Sequence, residues 1–244
     1  GNLFFSTSDI SIRARGFNIA VERAYNSHHS NVDGPFGLGW THNYNVALVD
    51  YHNGSVAEFE GDGSVHTFTY VSGNRYSSPP GIHTRLWNIT GGFVLRFKDG
   101  GRYDFDSGGK LFRIADKNSN NLTLSYVGGK LSSVNDDSGL QITFNYDGDR
   151  VSSVVDPLGR TIHYQYDGGK LIRVTDAMGN STLYFYYDNF KLKSIVDRVG
   201  RMVAFSYYAD GKVKDIWNLL YGYYGKSYLY PLRACYIEYG SNVA

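Results

Sequence analysis

His28 and His29 stand close to Asp33, and His42 follows Trp40 shortly after. From such side chains a metal site or an acid–base pair can be built. Imidazoles on loops with no fixed spacing to a carboxylate are expected to be solvated, so no catalytic residue, cofactor or metal ligand is assigned here. A second acidic series recurs: Asp136, Asp156, Asp176 and Asp197 each open a short turn closed by Gly139, Gly159, Gly179 and Gly200. Asp first and Gly last is what a four-residue turn prefers, and an Asx hydrogen bond explains the carboxylate without calcium. Neither a Ser-His-Asp order with a nucleophile elbow nor a phosphate loop is present. Cys235 is the only cysteine, which excludes an intrachain disulfide and a cysteine-based metal site. We therefore expect a protein that is not an enzyme.

The elements that carry these residues are strands. Among 244 residues there are 22 Tyr, 14 Phe and 29 Gly against 5 Pro, a mix that favours strands joined by tight turns. From Leu122 to Ile216 the chain repeats every 20 or 21 residues. The units are Leu122-Thr-Leu-Ser-Tyr126, Ile142-Thr-Phe-Asn-Tyr146, Ile162-His-Tyr-Gln-Tyr166, Leu183-Tyr-Phe-Tyr-Tyr187 and Val203-Ala-Phe-Ser-Tyr207. Alternation of apolar and polar residues in each predicts a strand with one packed face. Glycine dipeptides such as Gly128-Gly129 and Gly168-Gly169 follow, as tight hairpin turns require; Asn189-Phe190 departs from this.

Return strands open with a base and an aliphatic residue, at Lys130-Leu131, Arg150-Val151, Lys170-Leu171, Lys191-Leu192 and Lys212-Val213. Within them apolar residues recur three apart, as in Leu131 and Val134, so either a bulge intervenes or both faces are covered. The expected fold is all-β: antiparallel β-hairpin repeats stacked into a long, twisted, open or spiralling sheet, with Tyr126, Tyr146, Tyr166, Tyr187 and Tyr207 as a tyrosine ladder. The expected organisation is an N-terminal β domain (1–75), a connection containing Ser77-Ser-Pro-Pro-Gly81 (76–92), hairpin repeats (93–217) and an aromatic C-terminal cap or donated strand (218–244).

The N-terminal segments Asp9-Ile-Ser-Ile-Arg-Ala-Arg-Gly16, Val21-Glu-Arg-Ala-Tyr-Asn-Ser27 and Gly34-Pro-Phe-Gly-Leu-Gly-Trp40-Thr-His-Asn-Tyr44 carry a resemblance. They resemble the domain that precedes YD repeats in Rhs and wall-associated proteins, and the later Tyr-Asp, Gly-Gly-Lys-Leu and Asp-Pro-Leu-Gly elements resemble the YD repeat itself. The two matches cover roughly residues 3–217. The resemblance implies a spiralling sheet that in full-length relatives closes into a hollow shell around a toxic or otherwise sequestered segment, and in teneurin-like relatives displays adhesion surfaces. About a dozen strands at ~4.8 Å spacing make an arc of some 50–60 Å, short of a capsule. Asp156-Pro-Leu-Gly159 is similar to the acidic motif at which Rhs shells cleave themselves, but its place in the repeat is a turn.

We expect an extracellular or cell-surface structural protein, its signal segment removed, that self-associates through sheet edges or its C-terminal tail into a fibre, sheath or layer. The alternatives are a fragment or short paralogue of an Rhs shell that encapsulates a toxin or cargo, and a carbohydrate-binding or adhesion module using Trp40, Trp87 or Trp217. Lys and Arg number 24 against 23 Asp and Glu, which argues against nucleic-acid binding. No apolar stretch reaches the ~20 residues needed to cross a bilayer as a helix. Asn53, Asn88, Asn121 and Asn180 head Asn-X-Ser/Thr sequons, candidate N-glycosylation positions.

Overall fold

The computed structural model describes residues 1–14, 16, 18–219 and 232–233, and the described residues are all-β apart from one 3-10 turn at Ser27–His29. Phe4–Arg13, Asn18–Asn26 and Trp40–His42 form a three-stranded antiparallel sheet. From Ala47–Asp50 to Val213–Leu219 each strand pairs antiparallel with the next, giving one 18-stranded sheet. No ladder closes it: the Leu48 N–H donates to the Gly109 C=O at 2.8 Å beside a single bridge between Ala47 and Lys110, so the early part curls back on itself.

Each repeat is a hairpin with a bulge at a fixed place. In the first, Ser125 pairs with Ser133 and Tyr126 with Leu131, so Ser132 is the additional residue. The same shift leaves Phe112, Ser152, Ile172, Lys193 and Lys214 unpaired in the other hairpins. This answers the spacing of three. A bulge restores the facing of a strand whose apolar residues would otherwise alternate sides, so Leu131 and Val134, Val151 and Val154, and Leu192 and Ile195 all point into one core. Arg102–Asp106 and Leu111–Ala115 carry the same bulge, which makes 102–115 a full member of the series.

Turn chemistry is equally regular. Gly128 and Gly129 both lie at positive φ (57° and 84°), which only glycine adopts cheaply. At the other ends, Asp136, Asp156, Asp176 and Asp197 accept from the N–H groups two and four residues ahead, for Asp156 at 2.9 Å from both Leu158 and Arg160. Asp156 is thus a turn cap, held below its ordinary pKa despite burial by hydrogen bonds from Arg160 and Leu158.

Three expectations shift. Tyr186, not Tyr187, stands in the tyrosine ladder, because the loop after this strand holds an additional residue: Tyr187 pairs across to Lys191 around Asp188-Asn189-Phe190, with Phe190 at φ 65°. The connection at 76–92 holds strand at both ends, Arg75–Ser77 and Arg85–Ile89 continuing the same sheet, so the break narrows to 78–84 and the long sheet begins at Ala47 rather than 93. Of 218–244, Leu232–Arg233 pairs with Val213–Leu219 of the same chain. Asn218 and Leu219 end the strand Val213–Leu219, while residues 220–231 and 234–244, with Cys235, lie outside the described residues.

Candidate functional site

The packed face of the repeats carries three columns of side chains. Leu124, Phe144, Tyr164, Tyr184 and Phe205 form the buried central one, while the opposite face, with Ser125, Asn145 and Gln165, is exposed. The N-terminal sheet lies on the packed face. Phe36 meets Tyr164 edge to face at 4.8 Å between ring centroids, Trp40 meets Tyr184 at 5.1 Å, and His42 meets Phe144 at 5.8 Å. These contacts bury large aromatic area in preferred geometry.

At the centre sits Arg23. It occupies an inward position of the series Ile19, Val21, Arg23, Tyr25 and is 1% exposed. Its guanidinium pairs with the Asp9 carboxylate through two nitrogens, donates to the Tyr184 hydroxyl at 3.2 Å, and lies 4.9 to 5.9 Å from the ring centroids of Trp40, Tyr164, Tyr184 and Phe36. Burial alone would lower its pKa, but Asp9 beside it holds it well above the ordinary value. Both carboxylate oxygens accept from Arg23, and the Tyr164 hydroxyl adds a further bond to Asp9 Oδ2 at 2.8 Å. A buried charge is tolerated only when so paired.

The ladder's bulges supply the remaining attachment points. N–H groups of Val151, Leu192 and Val213 donate to the Pro35 C=O, the Tyr25 hydroxyl and the Gly1 C=O, each at 2.9 Å, and the Leu38 N–H donates to the Gly169 C=O at the same distance. Backbone carbonyls at the same places serve the tyrosines. Tyr126, Tyr166, Tyr186 and Tyr207 donate to the C=O of Leu111, Val151, Leu171 and Leu192 of the preceding hairpin, at 2.6 to 2.8 Å. Over the rings lie the bases that open the preceding return strands: Lys110 over Tyr126 at 4.9 Å, Lys130 over Tyr146 at 5.7 Å, Arg150 over Tyr166 at 6.0 Å and Lys191 over Tyr207 at 5.0 Å. The base-aliphatic pair thus has two uses, a cation on the next tyrosine and an apolar residue for the core. Tyr186 also accepts from Trp40 Nε1 at 2.8 Å, joining ladder and N-terminal sheet, whereas Tyr187 donates to the Phe205 C=O.

The other singled-out residues separate. His42 is 2% exposed, accepts from the Tyr44 N–H at 3.3 Å and is pushed down to about 3 by burial, so it is a neutral core imidazole. Asp33 pairs with Arg150. Among the described residues no group of His, Cys, Asp and Glu is placed to hold a metal ion. Trp40 is buried, which removes it as a sugar platform; Trp87 is half-buried with Arg96 5.8 Å from its ring, and Trp217 is half-buried. Asn53 and Asn88 are exposed, while the side chains of Asn121 and Asn180 are engaged by Asp137 and Asp176. No helix among the described residues is long and apolar enough to cross a membrane.

Asp9 and Arg23 lie in the N-terminal segments that carry the resemblance, but that resemblance gave neither of them a role. The local signal for Arg23 is a charge set in an apolar alternation, and it applies equally to Glu58 in the strand Ser55–Phe59.

Residues 1–68 match the family described as a domain of unknown function, DUF6531. Over 127 residues, 52% of this chain, the sequence is 31% identical to the tRNA nuclease WapA of Bacillus subtilis (strain 168) and 30% identical to the tRNA3(Ser)-specific nuclease WapA of Bacillus spizizenii, in each case 5% of that protein's length. The chain thus spans about a twentieth of these relatives. Among solved structures, the N-terminal domain of the effector protein SpvB from Salmonella typhimurium aligns over 88% of this chain and 100% of its own, at 15% identity and a TM-score of 0.40. The Photorhabdus luminescens Tc holotoxin pore aligns over 88% of this chain and 14% of its own, at 11% identity and a TM-score of 0.40. With its bulged hairpins repeating every 20 or 21 residues behind a domain shared with other proteins, and with its 31% identity to WapA over 127 residues, this chain is similar to proteins of the YD-repeat (Rhs) family.

Proposed function

We propose that this chain is a non-enzymatic wall segment of a secreted YD-repeat shell, in which the N-terminal sheet lines the inside of the repeats and the role is to shelter a cargo segment. One observation carries the reading: residues 1–38 are bonded to four successive hairpins, Pro35 to Val151, Leu38 to Gly169, Tyr25 to Leu192 and Gly1 to Val213. A lining attached in this way fixes the curvature of the sheet, as the wall of a container requires. A unit that polymerises edge to edge would instead present unpaired strands. Here the outer strand Val213–Leu219 takes Leu232–Arg233 of its own chain, and Ala47 is bridged to Lys110. The tRNA nuclease activity named for the relatives is not carried over from a match to 5% of their length.

Electron microscopy and sedimentation of the purified chain test this. Discrete particles of a single copy at high concentration are expected, and ordered filaments or layers overturn the proposal in favour of a surface assembly. In the gene product that contains the chain, an enclosed segment is expected to resist added protease until the repeats unfold.

A further inference from the structure

Beside the Arg23 centre, a separate cavity of about 330 Å³ opens between the N-terminal sheet and the first strands of the long sheet. Its walls carry four acids, Glu22, Glu58, Glu60 and Asp62, and the aromatic pair Phe97 and Tyr103, whose rings lie 4.7 Å apart. The one base on the wall, Arg23, is paired with Asp9, although its buried Nη1 has no hydrogen-bond partner. Glu58 is 2% exposed, and its Oε2, wholly buried, has no hydrogen-bond partner. A native fold rarely leaves such an oxygen unsatisfied, and each case calls for a group to satisfy it.

We propose that this cavity binds an organic cation, an alkylammonium or guanidinium group, which donates to Glu58 and lies against Phe97 and Tyr103. The acids and the aromatic walls match that chemistry, since a desolvated cation gains from both a carboxylate and a ring face. A bare metal ion fits worse: among the described residues no group of three acids or histidines is placed to hold one. The ligand comes either from a free amine or from a lysine or arginine side chain of another chain segment.

Burial, with Glu60 nearby, pushes Glu58 up to about 8, so at neutral pH the empty cavity holds it mostly protonated. Other groups facing this corner are Glu60, which is paired with His66 at 3.1 Å, Asp62, Glu22, Arg23 and Tyr103, whose own pKa is raised by burial and by Glu58. A cation that selects the ionised carboxylate must release its proton, so affinity rises with pH.

Calorimetric titration of the purified chain with 1,5-diaminopentane and with agmatine tests this. Saturable binding is expected, with affinity rising about tenfold from pH 6 to pH 7 and about fivefold from pH 7 to pH 8, and with about one proton released into buffer at pH 6 to 7. Glu58→Gln should lose at least about tenfold in affinity together with the pH slope. The double variant Glu60→Gln and Asp62→Asn, at the rim, should lose a few-fold in affinity and keep the slope, which holds the test open if Glu58→Gln folds poorly. A capped pentapeptide with a central lysine distinguishes the sources: tighter binding than the diamine points to a chain segment, equal or weaker binding to a free amine. No saturable binding of any probe, binding unchanged in both variants, or preferential binding of Ca²⁺ overturns the proposal.

Discussion

Arg23 shows how one side chain can join two sheets. Its charge is matched by Asp9, its faces by four aromatic rings, and Asp9 in turn by the Tyr164 hydroxyl, so no single truncation is neutral. Arg23→Met keeps much of the volume but leaves Asp9 buried without its partner, and we expect a loss of about 3–5 kcal/mol, read as a shift in the urea midpoint. The paired change Arg23→Met with Asp9→Leu should recover most of it, because removing both charges spares the desolvation of either. Tyr186 and its neighbour Tyr187 offer a sharper comparison. Tyr186→Phe strands Trp40 Nε1 as well as the Leu171 carbonyl and should cost about 1–3 kcal/mol, whereas Tyr187→Phe should cost about 1 kcal/mol or less. Equal losses would place Tyr187 in the ladder instead.

At the scale of the element, the bulge is the device that makes the repeat work. A return strand without it would turn Val154 or Ile195 away from the core that Val151 or Leu192 faces, since side chains alternate sides. Deleting Ile172 leaves Leu171 and Val174 two apart, still on one face, so the core facing should survive it. Deleting Arg173 as well makes Leu171 and Val174 adjacent, which sends one of them out of the core, and should destabilise far more. Thermal unfolding of the two variants separates the outcomes, and near-equal melting points would mean that register is set elsewhere. The loops at 188–190 and 209–211 share one longer form, and in the first Phe190 takes the left-handed conformation that Gly211 takes in the second.

For the whole molecule, two buried titratable groups shape stability against pH in opposite senses. His42 is depressed to about 3 in the fold against an ordinary 6.5, so the folded state binds fewer protons and the stability that follows is lost as pH falls from 6.5 toward 3. Glu58 is raised to about 8 against 4.5, so its contribution is full below about 4.5 and disappears as pH rises through 8, a swing on the order of 4 kcal/mol. Stability is expected to peak in weakly acidic solution. Urea midpoints measured from pH 4 to pH 9 check this: Glu58→Gln should abolish the decline on the alkaline side, and His42→Gln, which keeps an acceptor for the Tyr44 N–H, should soften the decline on the acid side. A profile unchanged in both variants would locate the pH dependence in other groups.

The sequence by itself determined the hairpins, their period and their turns, because these follow from local chemistry: alternation, glycine at positive φ, aspartate capping the amides ahead of it. It also carried the bulge as a spacing of three, without saying which of two explanations held; the pairing of Ser125 with Ser133 beside Tyr126 with Leu131 decided that. The choice between Tyr186 and Tyr187 was not legible, since both are tyrosines in an aromatic run and only the loop length across the hairpin distinguishes them. Nor were Asp9, Arg23 and Glu58 as a site. Their meaning depends on which face of one sheet lies against which face of another, and that contact joins Asp9 to Tyr164 across 155 residues of chain, a separation no local pattern spans.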